Sequence, residues 1–211
     1  MFDLTGFLHF LVAILVVLSV HESAHAVTAY YLGDPTAKLK GRISLNPIRH
    51  LDLYGSLIFL LTMRIGWGKP VPVNSENFKK PVRDSALTAL AGPMSNFALS
   101  FAVAFLWKHT GKFMPEILLT QLQTIFHVSI FLGVFNLLPF PPLDGSKILG
   151  LFIPRKYEYQ YANYLENGVQ YFIAIMMIDV LVLSNFLGYP VFGLVIRKIS
   201  VIVEGILILG T

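Results

Sequence analysis

The stretch Leu4–Tyr31, LTGFLHFLVAILVVLSVHESAHAVTAYY, decides the fold. From Leu4 to Val20 it holds no Asp, Glu, Lys or Arg, and it runs on through His21-Glu22-Ser23-Ala24-His25 to Tyr31. A hydrocarbon layer of about 30 Å is crossed by about 20 apolar residues in a helix, so this stretch is long enough to span. It is too long for the core of a signal peptide, and the His and Glu inside it argue against a disposable leader. The composition agrees. Only 13% of the 211 residues are charged and 55% are hydrophobic, with a mean hydropathy of +0.66, whereas soluble domains carry about 25% charged residues. Such a composition excludes disorder, and the absence of cysteine excludes a disulfide framework and thiolate metal ligands. The net charge of +4 fits basic loops of a membrane protein better than a nucleic-acid binder.

Further spans follow. Ser85–Trp107 is free of charge, Ile117–Leu143 holds only His127, and Gly168–Leu187 holds only Asp179. Val191–Leu209 is apolar with Arg197 and Lys198 in its middle, which leaves a tilted span, a packed helix and an interfacial helix all open. Arg155–Glu166, with four tyrosines among charges, reads as a surface element in the aromatic belt. Residues 32–84 differ in kind: Gly, Pro and Asn punctuate them, and their apolar part, Leu51–Thr62, is short enough for a re-entrant segment. With that segment not crossing, twelve basic residues (Arg64 among them) fall in 32–84 and 145–166, against Lys108 and Lys112 on the other side. That bias predicts a cytoplasmic location for the first side, and a crossing at Leu51–Thr62 would abolish it.

His21-Glu22-Ser23-Ala24-His25 is an H-E-x-x-H pattern, which on a helix stacks His21 and His25 on one face with Glu22 beside them. Ionisable groups inside an apolar span are costly and mark function. A catalytic zinc takes three protein ligands. The leading candidate for the third is Asp144, which ends Asn136-Leu137-Leu138-Pro139-Phe140-Pro141-Pro142-Leu143-Asp144-Gly145. Three prolines there require the chain to unwind, and unwound backbone at membrane depth needs a polar cavity. His127, Asp179 and His50 are the rivals. The simpler readings make His127 a helix–helix hydrogen bonder, pair Asp179 with a basic side chain such as Arg197, and leave His50 a loop residue with a second role near the metal open. Gly92 and Pro93 are expected to kink their span and allow close packing. Asn96 is either a packing hydrogen bonder or part of a cavity wall.

These motifs, with Gly41-Arg42, Asn46-Pro47, Gly66–Asn74 and Ala91-Gly92-Pro93-Met94-Ser95-Asn96, resemble those of the site-2 protease family of intramembrane zinc metalloproteases, in its small group without PDZ or CBS domains. The resemblance covers about residues 20–150. It implies that His21, His25 and Asp144 bind one Zn²⁺ per chain, that Glu22 is the catalytic base, that Asn136 lies by the substrate, and that part of 37–75 forms a membrane-associated hairpin or sheet. Regulation by an appended domain is not expected.

The expected fold is an all-α polytopic membrane protein. Three transmembrane helices surround the zinc site, joined by the irregular 32–84 region and C-terminal helices over 168–211, in one domain spanning 1–211. The expected function is hydrolysis of peptide bonds within or near transmembrane segments, with a transmembrane protein or peptide as substrate, the lipid bilayer as setting and no nucleic acid. An extended substrate strand is expected to pair with irregular backbone in 37–50, 66–74 or 136–143. The expected location is a prokaryotic cytoplasmic membrane, with the site open to the cytoplasm. The alternative is a non-proteolytic zinc-binding membrane protein or metal transporter, but a transporter needs ionisable groups distributed along a path, whereas here they gather at one depth.

Overall fold

The structure is a computed structural model and describes residues 3–62 and 66–211; Arg64, counted in the charge bias above, lies outside them. The first helix, α1 (Leu4–Leu32), is opened by the Asp3 carboxylate, which accepts from the Gly6 N–H, and closed by Gly33 at φ 113°. Its surface is sorted opposite to that of a soluble helix. Leu4, Leu8, Val12 and Val16, four residues apart, are exposed, while Ala13, Val17, Ser19, His21, Ser23, His25, Ala26 and Ala29 are buried. Large side chains outward and small or polar ones inward is the arrangement lipid favours, because small residues let helix backbones approach.

Against this face pack α4 (Pro81–Thr110) and α5 (Glu116–Asn136). They share a core of Ala13, Val17, Val103, Ala104, Ile125, Phe126, Ile130 and Val134. The α4 helix carries Pro93 without breaking, and at about 1.5 Å per residue it is longer than the hydrocarbon layer. Among the described residues, four helical stretches are long and apolar enough to cross a membrane: Leu4–Leu32, Pro81–Phe113, Glu116–Asn136 and Arg155–Leu187. The protein is thus an all-α, multi-pass membrane protein.

Between α1 and α4, the short α2 (Thr36–Leu39) turns the chain, and α3 (Leu53–Thr62) follows with 10 residues. These ten described residues rise about 15 Å, half the hydrocarbon thickness. Of the expected hairpin or sheet, the described residues hold a single antiparallel bridge that joins Leu51 to Gly68, with the Lys69 N–H donating to the His50 carbonyl at 2.8 Å. Among the described residues no extended sheet forms.

The chain unwinds after Asn136, as its prolines require, and re-enters a helix at α6 (Asp144–Leu149). Gly145 makes the junction possible, since a Cβ there would lie 2.2 Å from the Leu137 carbonyl oxygen and 2.4 Å from that of Leu138. The four-tyrosine stretch lies at the surface, with Arg155 to Gln160 exposed. It is helical from Arg155 and feeds α7 (Glu158–Ile178), where the Tyr161 hydroxyl donates to the Ser146 carbonyl at 2.8 Å and the Tyr164 hydroxyl to the Pro139 carbonyl. A π-helical segment, Asp179–Leu183, leads to α8 (Ser184–Leu187) and a turn at Gly188.

The last helix, α9 (Val191–Leu209), packs on α5 and α4. Phe192 at its start meets Phe140 and Phe172, and Ile208 at its end accepts from Lys108, so it runs antiparallel to α5. The segment thus forms a helix packed along α5. The expected Asp179–Arg197 pair is not. Buried Asp179 accepts instead from the Val191 and Phe192 N–H groups at 2.8 and 3.1 Å, capping α9, because a helix start exposes unpaired N–H groups that a carboxylate satisfies best.

Candidate metal centre

His21 and His25 stand one turn apart on the buried face of α1, their rings T-shaped with centroids 4.6 Å apart. Asp144, the first residue of α6, reaches them from the far side of the unwound segment. Its Oδ2 lies 3.1 Å from His21 Nε2 and 3.2 Å from His25 Nε2, and the two Nε2 atoms are 3.0 Å apart. This near-equilateral triangle matches the spacing of about 3.3 Å between ligand atoms on a tetrahedral Zn²⁺ with bonds of about 2.0–2.1 Å. Among the described residues this is the only group of three or more His, Cys, Asp or Glu that could hold a metal ion.

The surroundings prepare all three atoms as lone-pair donors. His25 Nδ1 lies 2.7 Å from the Thr88 carbonyl oxygen and donates to it, which puts the proton on Nδ1 and frees Nε2. His21 Nδ1 lies 3.1 Å from Asn96 Nδ2, while Asn96 Oδ1 is buried without a partner. Turning the Asn96 amide over places Oδ1 on the His21 Nδ1–H and again frees Nε2. Asp144 Oδ2 is itself buried without a hydrogen-bond partner. An orphaned carboxylate oxygen facing two imidazole lone pairs is a set that a cation completes, so these residues fit zinc. Gly92 closes the back of the cluster: a Cβ there would lie 2.4 Å from His25 Nε2 and 2.6 Å from His21 Cε1.

The triangle opens on a cavity of about 550 Å³. Glu22 and Asn136 both line it. Glu22 Oε2 accepts from the Val71 N–H at 2.9 Å, and the Asn136 amide donates back to the Leu132 carbonyl at 3.0 Å.

The rivals for the third ligand lie elsewhere. His127 faces Glu204 of α9 at 3.7 Å, Asp179 caps α9, and fully buried His50 sits 3.4 Å from an Arg42 nitrogen and donates to the Ser44 carbonyl at 2.6 Å. The sequence left Asn96 undecided and gave no role to Thr88, or to Arg42 and Val71 within the quoted Gly41-Arg42 and Gly66–Asn74 motifs. The spacing Gly92-x-x-x-Asn96, one helical turn, was a usable signal for Asn96. Thr88 and Val71 act through backbone atoms, which residue types do not announce.

Residues 106–178 match Peptidase family M50. The "Putative zinc metalloprotease YwhC" of Bacillus subtilis (strain 168) is 36% identical over 189 residues, covering 86% of this chain and 84% of that protein. "Stage IV sporulation protein FB" of the same organism is 28% identical over 168 residues, 77% of this chain and 46% of that protein. The "Putative zinc metalloprotease Rip2" of Mycolicibacterium smegmatis is 29% identical over 131 residues, 61% of this chain and 51% of that protein. No solved structure matches. A relative that alike over nearly its whole length, joined to the family match, makes this chain a member of Peptidase family M50, a zinc metallopeptidase of the site-2 protease type.

Proposed function

We propose that the chain is an intramembrane endopeptidase that cleaves peptide bonds within or beside the transmembrane segments of other proteins. The observation that carries this reading is the convergence of His21, His25 and Asp144, from two distant stretches of chain, beside Glu22 and among membrane-crossing helices. His21, His25 and Asp144 would hold one zinc, which would supply Lewis acidity toward water and the scissile carbonyl. Glu22 takes a proton from the attacking water and passes it to the leaving amine. Asn136, on the same cavity wall, uses an amide N–H to hold the substrate backbone or its developing oxyanion. A helical substrate hides its carbonyls in hydrogen bonds, so it unwinds before cleavage, and irregular backbone in 66–74 or 136–143 offers it an edge.

The excess of basic residues in 32–84 and 145–166 supports a cavity mouth on the cytoplasmic side of a prokaryotic membrane. The test is purification with metal analysis, followed by cleavage of a panel of single-span substrates. Wild type is expected to carry about one zinc per chain and to cleave; Glu22→Gln is expected to keep the zinc and lose cleavage. Cleavage by Glu22→Gln at the wild-type rate would overturn the assignment of the base.

A further inference from the structure

Beside the ligand triangle, the groups that the reaction leaves unexplained gather round one strap of backbone, Lys69–Val73. Arg42 is only 5% exposed, although arginine is among the residues least often buried. Its Nη1 donates to the Pro70 carbonyl at 3.2 Å and its Nη2 to the Lys69 carbonyl. The next residue, Val71, sets its N–H on Glu22 Oε2 at 2.9 Å. Pro70 and Pro72 flank Val71 and neither has an N–H, so the strap has a single donor at this point and spends it on Glu22. The far end of the strap is fastened as well: Asp34 accepts from the Asn74 N–H and from the Asn77 amide, both at 2.7 Å.

A glutamate carboxylate turns easily about its last torsion. A charge-assisted hydrogen bond on one oxygen fixes its plane and leaves the other oxygen to accept a proton. Burial disfavours the Arg42 charge, and the Glu22 carboxylate favours it, so clamp and base lie within electrostatic reach of each other.

We propose that Arg42 is a positioning residue for the reaction: by clamping the Lys69 and Pro70 carbonyls it holds the Val71 N–H on Glu22 Oε2, making Oε1 the proton-accepting oxygen. This rests on the reading of Glu22 as the base.

The test uses the zinc-loaded full chain with a single-span substrate. The natural absence of cysteine allows Val73→Cys to serve as a thiol-labelling reporter on the strap. Arg42→Gln and Val71→Pro are expected to lower kcat about 10- to 100-fold, with KM changed by less than about threefold and zinc content held. Arg42→Lys, which can still donate to one carbonyl, is expected to recover part of the loss, and Val71→Ala, which keeps the N–H, to lose far less than Val71→Pro. Arg42→Gln is also expected to speed labelling at Val73→Cys. The proposal is overturned by Val71→Pro as fast as Val71→Ala, by Arg42→Gln with wild-type kcat or unchanged labelling, or by losses confined to KM or zinc content. Should Glu22→Gln cleave like wild type, the base assignment fails, and the labelling arm still decides whether Arg42 holds the strap.

Discussion

Gly92 is the residue on which the two imidazoles lean. A methyl group at that position would overlap His25 Nε2 at 2.4 Å, and neither the α4 backbone nor the paired rings can give that much. Gly92→Ala is therefore expected to weaken zinc binding at least about 10-fold, read as metal retained after dialysis against a graded chelator. Gly205→Ala, where a Cβ meets nothing within 4 Å, should retain wild-type zinc. Asn96 acts more softly. Asn96→Ala removes the partner of His21 Nδ1 and should cost about 10- to 100-fold in metal affinity or activity, while Asn96→Asp, whose carboxylate still accepts that proton, should recover most of it. Retention of full affinity in Asn96→Ala would show that the His21 tautomer is set elsewhere. Side chains of this kind were largely legible in the sequence. His21, Glu22 and His25 announce themselves by spacing, and Asp144 by the prolines that unwind the chain before it. The Val71 N–H and the Thr88 carbonyl were not, because every residue type but proline offers the former and every residue the latter.

At the scale of elements, two carboxylates fasten parts that helix propensity alone would leave loose. Asp34 accepts from the Thr36 N–H and hydroxyl, the Asn74 N–H and the Asn77 amide. Burial raises its pKa, but these bonds outweigh burial and hold it below the ordinary carboxylate range. A carboxylate depressed in this way stabilises the fold fully above its unfolded pKa of about 3.9, and the contribution fades as pH falls through the lower folded value. Asp34→Asn should thus lower the unfolding temperature by a constant amount between pH 7 and about 5, with the gap from wild type closing only below about pH 4. A gap that closes near neutrality would assign the effect to another group. Asp179→Ala should cost about 1–2 kcal/mol through loss of the α9 cap, measured by denaturant unfolding. The pairing expected for Asp179 failed for a reason of chain geometry. Arg197 sits in the following helix and is the nearest basic residue in sequence, but the turn at Gly188 brings the α9 N-terminus back onto Asp179 first. The three core helices, by contrast, were readable from uncharged length alone.

For the whole molecule, the proposed topology rests on the charge bias and on the ligand geometry, and it is open to direct test. Single cysteines introduced at Trp67 and Lys147 should label from the cytoplasmic face and one at Lys112 from the opposite face; labelling of Trp67→Cys from outside would invert the proposed topology. Gly41, at φ 66°, and Gly68, on the bridge to Leu51, shape the region beside the cavity. Replacing either should slow cleavage with zinc retained. The last consequence comes from where the three ligands originate. Two belong to the first helix and the third follows a break more than a hundred residues later, in a protein that has no cysteine with which to staple itself. An ion gripped there acts as a molecular rivet, closing a very long loop that the unfolded chain would otherwise leave free. Stripping it with a chelator should therefore do more than silence the enzyme: the melting temperature should fall, and readdition of zinc should restore it in proportion to occupancy.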